Sequence, residues 1–157
     1  SYISLLAGYT GLYNNLLVAN EGINMKAITV RQPWAWAIIF AGKDIENRNW
    51  PTQFRGNVAI HAAKGMTIKE YEEAAKLFLH YHRKKIPDLK VITRGAVIGF
   101  VDIVDCVTNS KSKWFGGAYG FVLKNPRSIE PIYCNGALGF WQLPPKIEKE
   151  VIRKASK

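Results

Sequence analysis

The feature that most constrains this fold is a run of mostly apolar residues, GAVIGFVDIVDCV, at positions 95–107. Apolar side chains occupy both alternating sets of positions, whereas a strand with one exposed face alternates between apolar and polar residues. Such a run is typical of a strand that is buried on both faces. We therefore predict a strand at 95–107 with other elements packed on each side of it.

The other predicted elements are short and are separated by proline and glycine. Pro33 suits the first turn of a helix and Gly42 suits its C-terminal cap. Thr67 and Glu70 form the capping-box pattern that begins a longer helix. Short strands with few helices favour an α+β fold, with a small curved sheet or barrel, over a doubly wound sheet. The further strands are predicted at 27–30, 44–50, 57–63, 119–124, 128–133 and 138–143, and the helices at 34–41, 67–85 and 146–155.

The charge of the chain indicates an anionic partner. A length of 157 residues fits one domain, and its 22 basic against 12 acidic residues give a net charge of +10. An excess of this size is typical of proteins that bind nucleic acid or a membrane surface. The two cysteines are far apart, which argues against a zinc site or a disulfide scaffold and predicts a reducing, cytoplasmic location.

Residues 1–24 differ from the rest, because they contain no Lys or Arg and one acid. Residues 25–157 therefore hold all 22 basic residues and 11 acidic ones, a net charge of +11. Gly, Asn and Thr interrupt the first segment, so we predict no membrane anchor. Two interpretations stay open: an upstream or vector-derived extension without its own function, or an amphipathic helix that docks on this chain or on a protein partner, including a second copy.

Several kinds of chemistry are absent from the sequence. It contains no phosphate-binding P-loop, no GxSxG, no HExxH and no GxGxxG, so we expect no nucleotide cofactor. His80 and His82 are two residues apart on a predicted helix and point to different faces, so they cannot bind one metal ion together. We therefore expect neither a cofactor nor a metal.

The most informative segment, at 31–64, combines charged and aromatic residues over two predicted strands. Strand alternation places Glu46, Arg48 and Trp50 on one face, and it turns His61 away from the core between two small alanines. Arg and Lys contact phosphates, Trp stacks on bases, and a carboxylate accepts from the exocyclic amine of cytosine. This set predicts the floor of a nucleotide-binding cleft, to which Trp34, Lys43, Arg55 and Lys64 also belong.

Plainer interpretations of the same residues stay open. Glu46 and Arg48 could form an exposed ion pair worth under about 1 kcal/mol, and Trp34 could fill the core. The loop at 110–121 combines Lys113 and Trp114 with flexible glycines, which suits either nucleic-acid contact or a turn whose tryptophan folds back on the barrel. Each residue alone favours the plainer interpretation, whereas the set at 31–64 favours the cleft.

An ordered series of motifs resembles the ASCH (activating signal cointegrator homology) domain family, and most of all the version in transcriptional coactivators. The motifs are QPWAWAII, AGKDIENRNW, FRGNVAIHAAK, GAVIGFVDIVDC, KNP and GFWQL. The resemblance implies a PUA-like β-barrel flanked by helices over residues 25–157, with a nucleic-acid-binding cleft beside the first helix. It assigns Gln32, Pro33 and Trp34 to the helix-start motif, Lys43, Glu46 and Arg48 to the cleft motif, and His61 and Lys64 to the next strand.

Some small relatives are enzymes that deacylate N4-acetylcytidine with a Lys and a Thr. Lys43 matches the Lys, but Glu46 stands where the Thr would be. A carboxylate there could act as a general base on water while Lys43 stabilises an oxyanion. Lys43 or His61 could also serve a ribonuclease. Lys43, Glu46 and His61 are therefore the catalytic candidates of the alternative hypothesis, a hydrolase.

The leading hypothesis is a domain that binds RNA or single-stranded DNA without catalysis. A third hypothesis is an adaptor that binds an acidic protein surface. Since a membrane surface does not need a carboxylate, a histidine and tryptophans beside the basic groups, we expect nucleic acid rather than lipid as the partner.

Overall fold

A computed structural model of the chain describes residues 24–157. The predictions for residues 1–23 lie outside the described residues. The strands are β1 Lys26–Val30, β2 Ile45–Arg48, β3 Gly56–Ala62, β4 Ala96–Val107, β5 Tyr119–Tyr133 and β6 Phe140–Gln142. The helices are α1 Trp34–Phe40, α2 Ile68–Leu77, a π-helix Phe78–His82 that continues α2, and α3 Pro145–Ala155.

The six strands form one sheet in the order β2-β5-β4-β3-β1-β6. β1 and β3 are parallel, and the other neighbours are antiparallel. The two edges approach each other through side chains, because Trp50, just after β2, packs edge-on against Phe140 of β6 with ring centroids 5.5 Å apart. The predicted α+β class and PUA-like barrel are confirmed, with the barrel left open as a half-barrel between β2 and β6.

The central strand β4 is buried on both faces, as its composition predicts. Ile98, Val101 and Ile103 belong to a core enclosed by the curved sheet and α1. Val97 and Phe100 belong to a second core, which α3 covers. Each face of β4 therefore buries apolar area, which stabilises the folded state by about 25 cal/mol for each Å² removed from water.

Local signals place the helix ends correctly. Thr67 and Glu70 make both hydrogen bonds of the capping box at the start of α2. Gly42 follows the C-cap of α1 with φ +74°, a conformation that glycine adopts without strain. The π-helix after α2 ends at His82, and its C-cap residue Arg83 has φ +53°.

The prediction of two separate strands at 119–124 and 128–133 is wrong, since β5 runs through both. Asn125 adopts φ +54° and donates a hydrogen bond to Asp102 Oδ2 of β4 at 3.0 Å. The β4–β5 register shifts between Phe100 and Asp102, opposite this point. The Asn125-Pro126 pair therefore forms a bulge rather than a turn, and the bulge accommodates a proline that has no N–H for the ladder.

Within residues 24–157, every helix is too short or too polar to cross a membrane.

Candidate nucleic-acid interface

A cavity of about 600 Å³ lies where β3 ends, beside the loop at 134–139 that connects β5 to β6. Thr29 and His61 line its inner part, and Lys64 and Arg94 line it where β3 and β4 meet the loops. Two of the most exposed apolar side chains, Tyr133 at 71% and Leu138 at 97%, also belong to the cavity wall. The cavity thus combines cations with an aromatic ring.

Lys64 and Arg94 are held in position at this cavity by short-range contacts. Arg94 Nη1 donates to the Lys64 carbonyl at 3.2 Å. The stem of Lys64 lies over Gly95, where an added Cβ would be 3.6 Å from Lys64 Cβ and Cγ. Both side chains are exposed, and neither takes part in a salt bridge among residues 24–157. Two uncompensated positive charges therefore lie side by side.

His61 forms a chain of hydrogen bonds under the cavity. Its Nε2 lies 2.8 Å from the Cys134 carbonyl, so this nitrogen must carry the hydrogen. Its Nδ1 lies 3.3 Å from Thr29 Oγ1, which in turn accepts from Trp141 Nε1 at 3.0 Å. The Thr29 hydroxyl can therefore donate to Nδ1 of a neutral ring. Burial lowers the pKa of His61 and so favours that neutral form, while the hydrogen bond to Cys134 opposes the shift.

His61 lies on the predicted face of β3, but that face is covered at His61, although the two small alanines beside it suggest open space. Val58 and Ile60 face the inner core, whereas His61 lies on the other side of the sheet. The ring is only 2% exposed, because the loop at 134–139 lies on it. Both ring nitrogens are engaged within the protein.

Gly136 allows this loop to approach so closely. A Cβ at Gly136 would lie 2.5 Å from Thr29 Oγ1 and 2.7 Å from His61 Nδ1 and Cε1. These distances leave no room for a side chain. Glycine at this position therefore lets the cavity wall pack on the His61 hydrogen bonds.

The cleft-motif residues Lys43, Glu46 and Arg48 form a second group, at β2. Lys43 is 4% exposed and its Nζ donates to the Ile45 carbonyl. Glu46 Oε1 lies 3.9 Å from Arg48 Nε, while Glu46 Oε2 is buried and has no hydrogen-bond partner among residues 24–157. Burial lowers the pKa of the Lys43 ammonium, and the neighbouring Glu46 carboxylate opposes that shift.

The burial of this group differs from the expected arrangement. Lys43 was expected beside the cleft as a cation available to phosphates, but it is enclosed. The side chains of Glu46 and Arg48 are 11% and 20% exposed, so they do not form the exposed ion pair of the plainer interpretation. α1 and the loop after β4 meet at the start of β2, because the Lys43 N–H donates to the Ala37 carbonyl and Asn47 is bonded to Trp114.

Thr29 connects the two groups. Its carbonyl accepts from Arg48 Nη2 at 2.9 Å, and its hydroxyl lies in the His61 chain. Arg48 thus bonds β2 to β1 beyond the end of β6, which pairs only with Lys26, Ala27 and Ile28. Sequence reasoning missed Thr29, Arg94 and Trp141. The signals for them were a polar residue in the apolar strand AITV, a basic residue at the start of the β4 run, and the GFWQL motif.

The predicted stacking tryptophans pack against other rings. Trp34 lies 4.9 Å from Phe78 between centroids, which agrees with core filling. Trp50 packs edge-on against Phe121 at 5.2 Å. Trp114 stacks on His82 at 3.5 Å with an interplanar angle of 2°, so the loop folds back on the protein.

Gln32, Arg55 and Lys113 lie apart from the cavity. Gln32 is 3% exposed and joins α1 to the segment before β4, because it donates to the Thr93 carbonyl at 2.6 Å and accepts from the Trp36 N–H at 2.9 Å. Arg55 precedes β3 and Lys64 follows it. At about 3.3 Å per residue, the extended chain between them spans at most roughly 30 Å, so the two side chains lie at opposite ends of the strand. Lys113 is exposed on the loop after β4.

No group of three or more His, Cys, Asp or Glu side chains in the described part of the chain is arranged to hold a metal ion.

Comparison with known protein families and sequences places the chain among ASCH domains. The family model of the ASCH domain matches residues 28–137. Human activating signal cointegrator 1 is 28% identical over 134 residues, which cover 78% of this chain and 23% of that protein. The mouse protein of the same name is 26% identical with the same coverage. The chain spans about a quarter of the length of these curated relatives.

Solved structures that match this chain include ASCH from Zymomonas mobilis. That crystal structure is 13% identical, covers 82% of this chain and 94% of its own, and has a TM-score of 0.47. A single-residue variant of the same protein is 15% identical with the same coverage and has a TM-score of 0.49.

Proposed function

The chain belongs to the ASCH domain family, which is associated with nucleic acids, and from this premise we propose that it binds single-stranded RNA or single-stranded DNA at the 600 Å³ cavity. The observation that carries the proposal is that Lys64 and Arg94, two cations without a salt bridge in the described part of the chain, lie together on one wall of that cavity. Cations that neutralise phosphates supply most of the affinity in such complexes.

The shape and lining of the cavity favour a single strand. A duplex hides its bases, whereas a single strand can turn one base toward a concave site and stack it on an aromatic ring. Tyr133, 71% exposed, supplies an available ring face, and backbone groups of the loop at 134–139 supply polar contacts. The half-buried tryptophans, which pack against other rings, are not needed for this mode of binding.

Binding without catalysis is favoured over the hydrolase alternative. Lys43 Nζ donates to a backbone carbonyl, Glu46 Oε2 is enclosed, and both nitrogens of His61 are engaged. A general acid or base must reach the proton that it transfers. The test is incubation of the protein with N4-acetylcytidine and with labelled RNA. We expect that any product formed does not depend on Lys43 or Glu46, so Lys43→Ala and Glu46→Ala give the same amount of product as the unmodified protein. Product that disappears in both variants would favour the hydrolase.

The cavity can be tested by removing its two cations. We expect Lys64→Ala with Arg94→Ala to weaken binding of a fluorescent single-stranded RNA on the order of tenfold at low salt, and to reduce the slope of log affinity against log salt by about 1.4. Fluorescence anisotropy at several salt concentrations measures both. Lys146→Ala with Lys149→Ala, two exposed lysines of α3, is the control that removes the same charge elsewhere.

An unchanged slope in the cavity variant, or an equal loss in the control, would overturn the assignment of the cavity. A parallel titration with single-stranded DNA tests the second ligand. The adaptor hypothesis would be favoured if the protein bound acidic proteins, freed of nucleic acid by nuclease, more strongly than it bound either RNA or DNA.

A further inference from the structure

A second strongly positive surface lies at the far end of α2. Arg83, Lys84 and Lys85 follow the π-helix directly and are all exposed. Lys113 lies on the loop after β4, whose next residue, Trp114, stacks on His82 of the same π-helix at 3.5 Å. We call the four cations Arg83, Lys84, Lys85 and Lys113 the basic ledge.

The backbone under the ledge is held by specific contacts. The Lys84 N–H donates to the Phe78 carbonyl at 3.2 Å. His82 stacks on Trp114 at 3.5 Å, and this contact joins the π-helix to the loop that carries Lys113. Asn47 fastens that loop to β2, because its Nδ2 donates to the Trp114 carbonyl at 2.8 Å and its Oδ1 accepts backbone N–H groups. The cations therefore stand on a fixed base, although their side chains are free to adapt.

The four cations of the ledge are not held in close ion pairs. Within residues 24–157, no salt bridge involves any of its four cations. Burial lowers the pKa of His82, and the charges of Lys113 and Lys43 lower it further, which indicates a positive local field. A helix C-terminus attracts cations within its last turn, but this does not explain Lys113, which comes from another element.

We propose that the basic ledge is a second nucleic-acid contact, which binds the phosphate backbone of a strand that also occupies the cavity. The proposal rests on the proposed function of the cavity. All four residues of the ledge are cations, and the nearby Trp114 ring is stacked on His82. Cations contact phosphates, and phosphate contacts carry no information about the base.

The distance between the two contacts determines which ligands reach both. α2 begins four residues after Lys64, and α2 with its π-helix spans about 22 Å at 1.5 Å per residue. A short oligonucleotide that fills the cavity does not extend to the ledge. A longer one does, so the contribution of the ledge depends on ligand length.

The experiment compares oligonucleotides of about four and about sixteen nucleotides, the range of site sizes of single-strand-binding folds. In the triple variant Arg83→Ala, Lys84→Ala and Lys85→Ala, we expect the salt slope for the long RNA to fall by about 2 and that for the short RNA to stay unchanged. Lys113→Ala alone should lower the long-RNA slope by about 0.7. The control is Lys146→Ala, Lys149→Ala and Lys157→Ala, which removes three exposed charges near or on α3.

The outcomes separate the two proposals. If the long RNA depends on Lys64 and Arg94 but not on Arg83, Lys84 and Lys85, the ledge is overturned and the cavity stands. Equal losses for short and long RNA, or in the α3 control, also overturn the ledge. If the unmodified protein binds neither RNA, the proposed function itself fails. Circular dichroism and thermal unfolding check that each variant is folded.

Discussion

Gly99→Ala is expected to lower the free energy of unfolding by about 3 kcal/mol or more, the upper part of the range for overpacking a core. A Cβ at Gly99 would collide with the backbone carbonyl of Arg127 in β5 and would lie 2.8 Å from Ile39 Cδ1 of α1. The carbonyl cannot rotate away as a side chain could. The central strand β4 would have to separate from β5 or from α1, and both contacts enclose the core.

Urea unfolding followed by circular dichroism measures this effect. Gly116→Ala is the matched control, because a Cβ there meets nothing within 4 Å, and we expect it to change stability by less than about 0.5 kcal/mol. Should Gly99→Ala unfold at the same urea concentration as Gly116→Ala, the close packing of β4 against β5 would be refuted. Insoluble Gly99→Ala beside soluble Gly116→Ala would agree with it.

Gly136→Ala is expected to disrupt the cavity and to weaken single-stranded RNA binding on the order of tenfold, since Lys64 and Arg94 act there with the loop at 134–139. The added methyl group would lie 2.5 Å from Thr29 Oγ1 and 2.7 Å from His61 Nδ1, so the loop must move outward. The His61 Nε2 hydrogen bond to the Cys134 carbonyl would then be lost. Exchanging an internal hydrogen bond for one to water costs about 0.5 to 1.5 kcal/mol of stability.

Nuclear magnetic resonance of the His61 ring distinguishes this mechanism from a general loss of stability. In the unmodified protein we expect a neutral ring protonated at Nε2, with an imidazole pKa below the ordinary value. Gly136→Ala should expose this N–H to exchange with water and move the pKa back toward that value. Asn135→Ala, an exposed change in the same loop, is the control and should leave the His61 signals in place. Protected His61 signals together with normal RNA binding in Gly136→Ala would show that the loop does not need glycine.

The elements that sequence predicts well are those with local evidence. β4 was predicted at 95–107 and is observed at Ala96–Val107, because a run without alternation indicates burial on both faces. Thr67 and Glu70 predicted the start of α2, since a capping box involves residues three positions apart. The break predicted between the strands at 119–124 and 128–133 is absent, because β4 shifts its register and β5 continues through a bulge at Asn125 and Pro126.

The candidate site was predictable only in part. Strand alternation correctly turned His61 away from the inner core. Its burial depends on Cys134 and Gly136, more than seventy positions along the chain, so no local pattern reveals it. Lys43 is a residue of the type that binds phosphates, yet the fold encloses it and leaves it only 4% exposed.

The sequence by itself determined the α+β class, the family, the excess of positive charge and the face of the sheet on which a strand residue lies. These properties depend on residue type and on spacing over a few positions. Only the tertiary structure decided which charges remain exposed, because burial is produced by segments that are distant in sequence. It brings Arg94 to Lys64, thirty positions earlier, beside one cavity, and it encloses Lys43 and Glu46. The excess of positive charge is therefore readable from composition, whereas its distribution between surface and interior requires the fold.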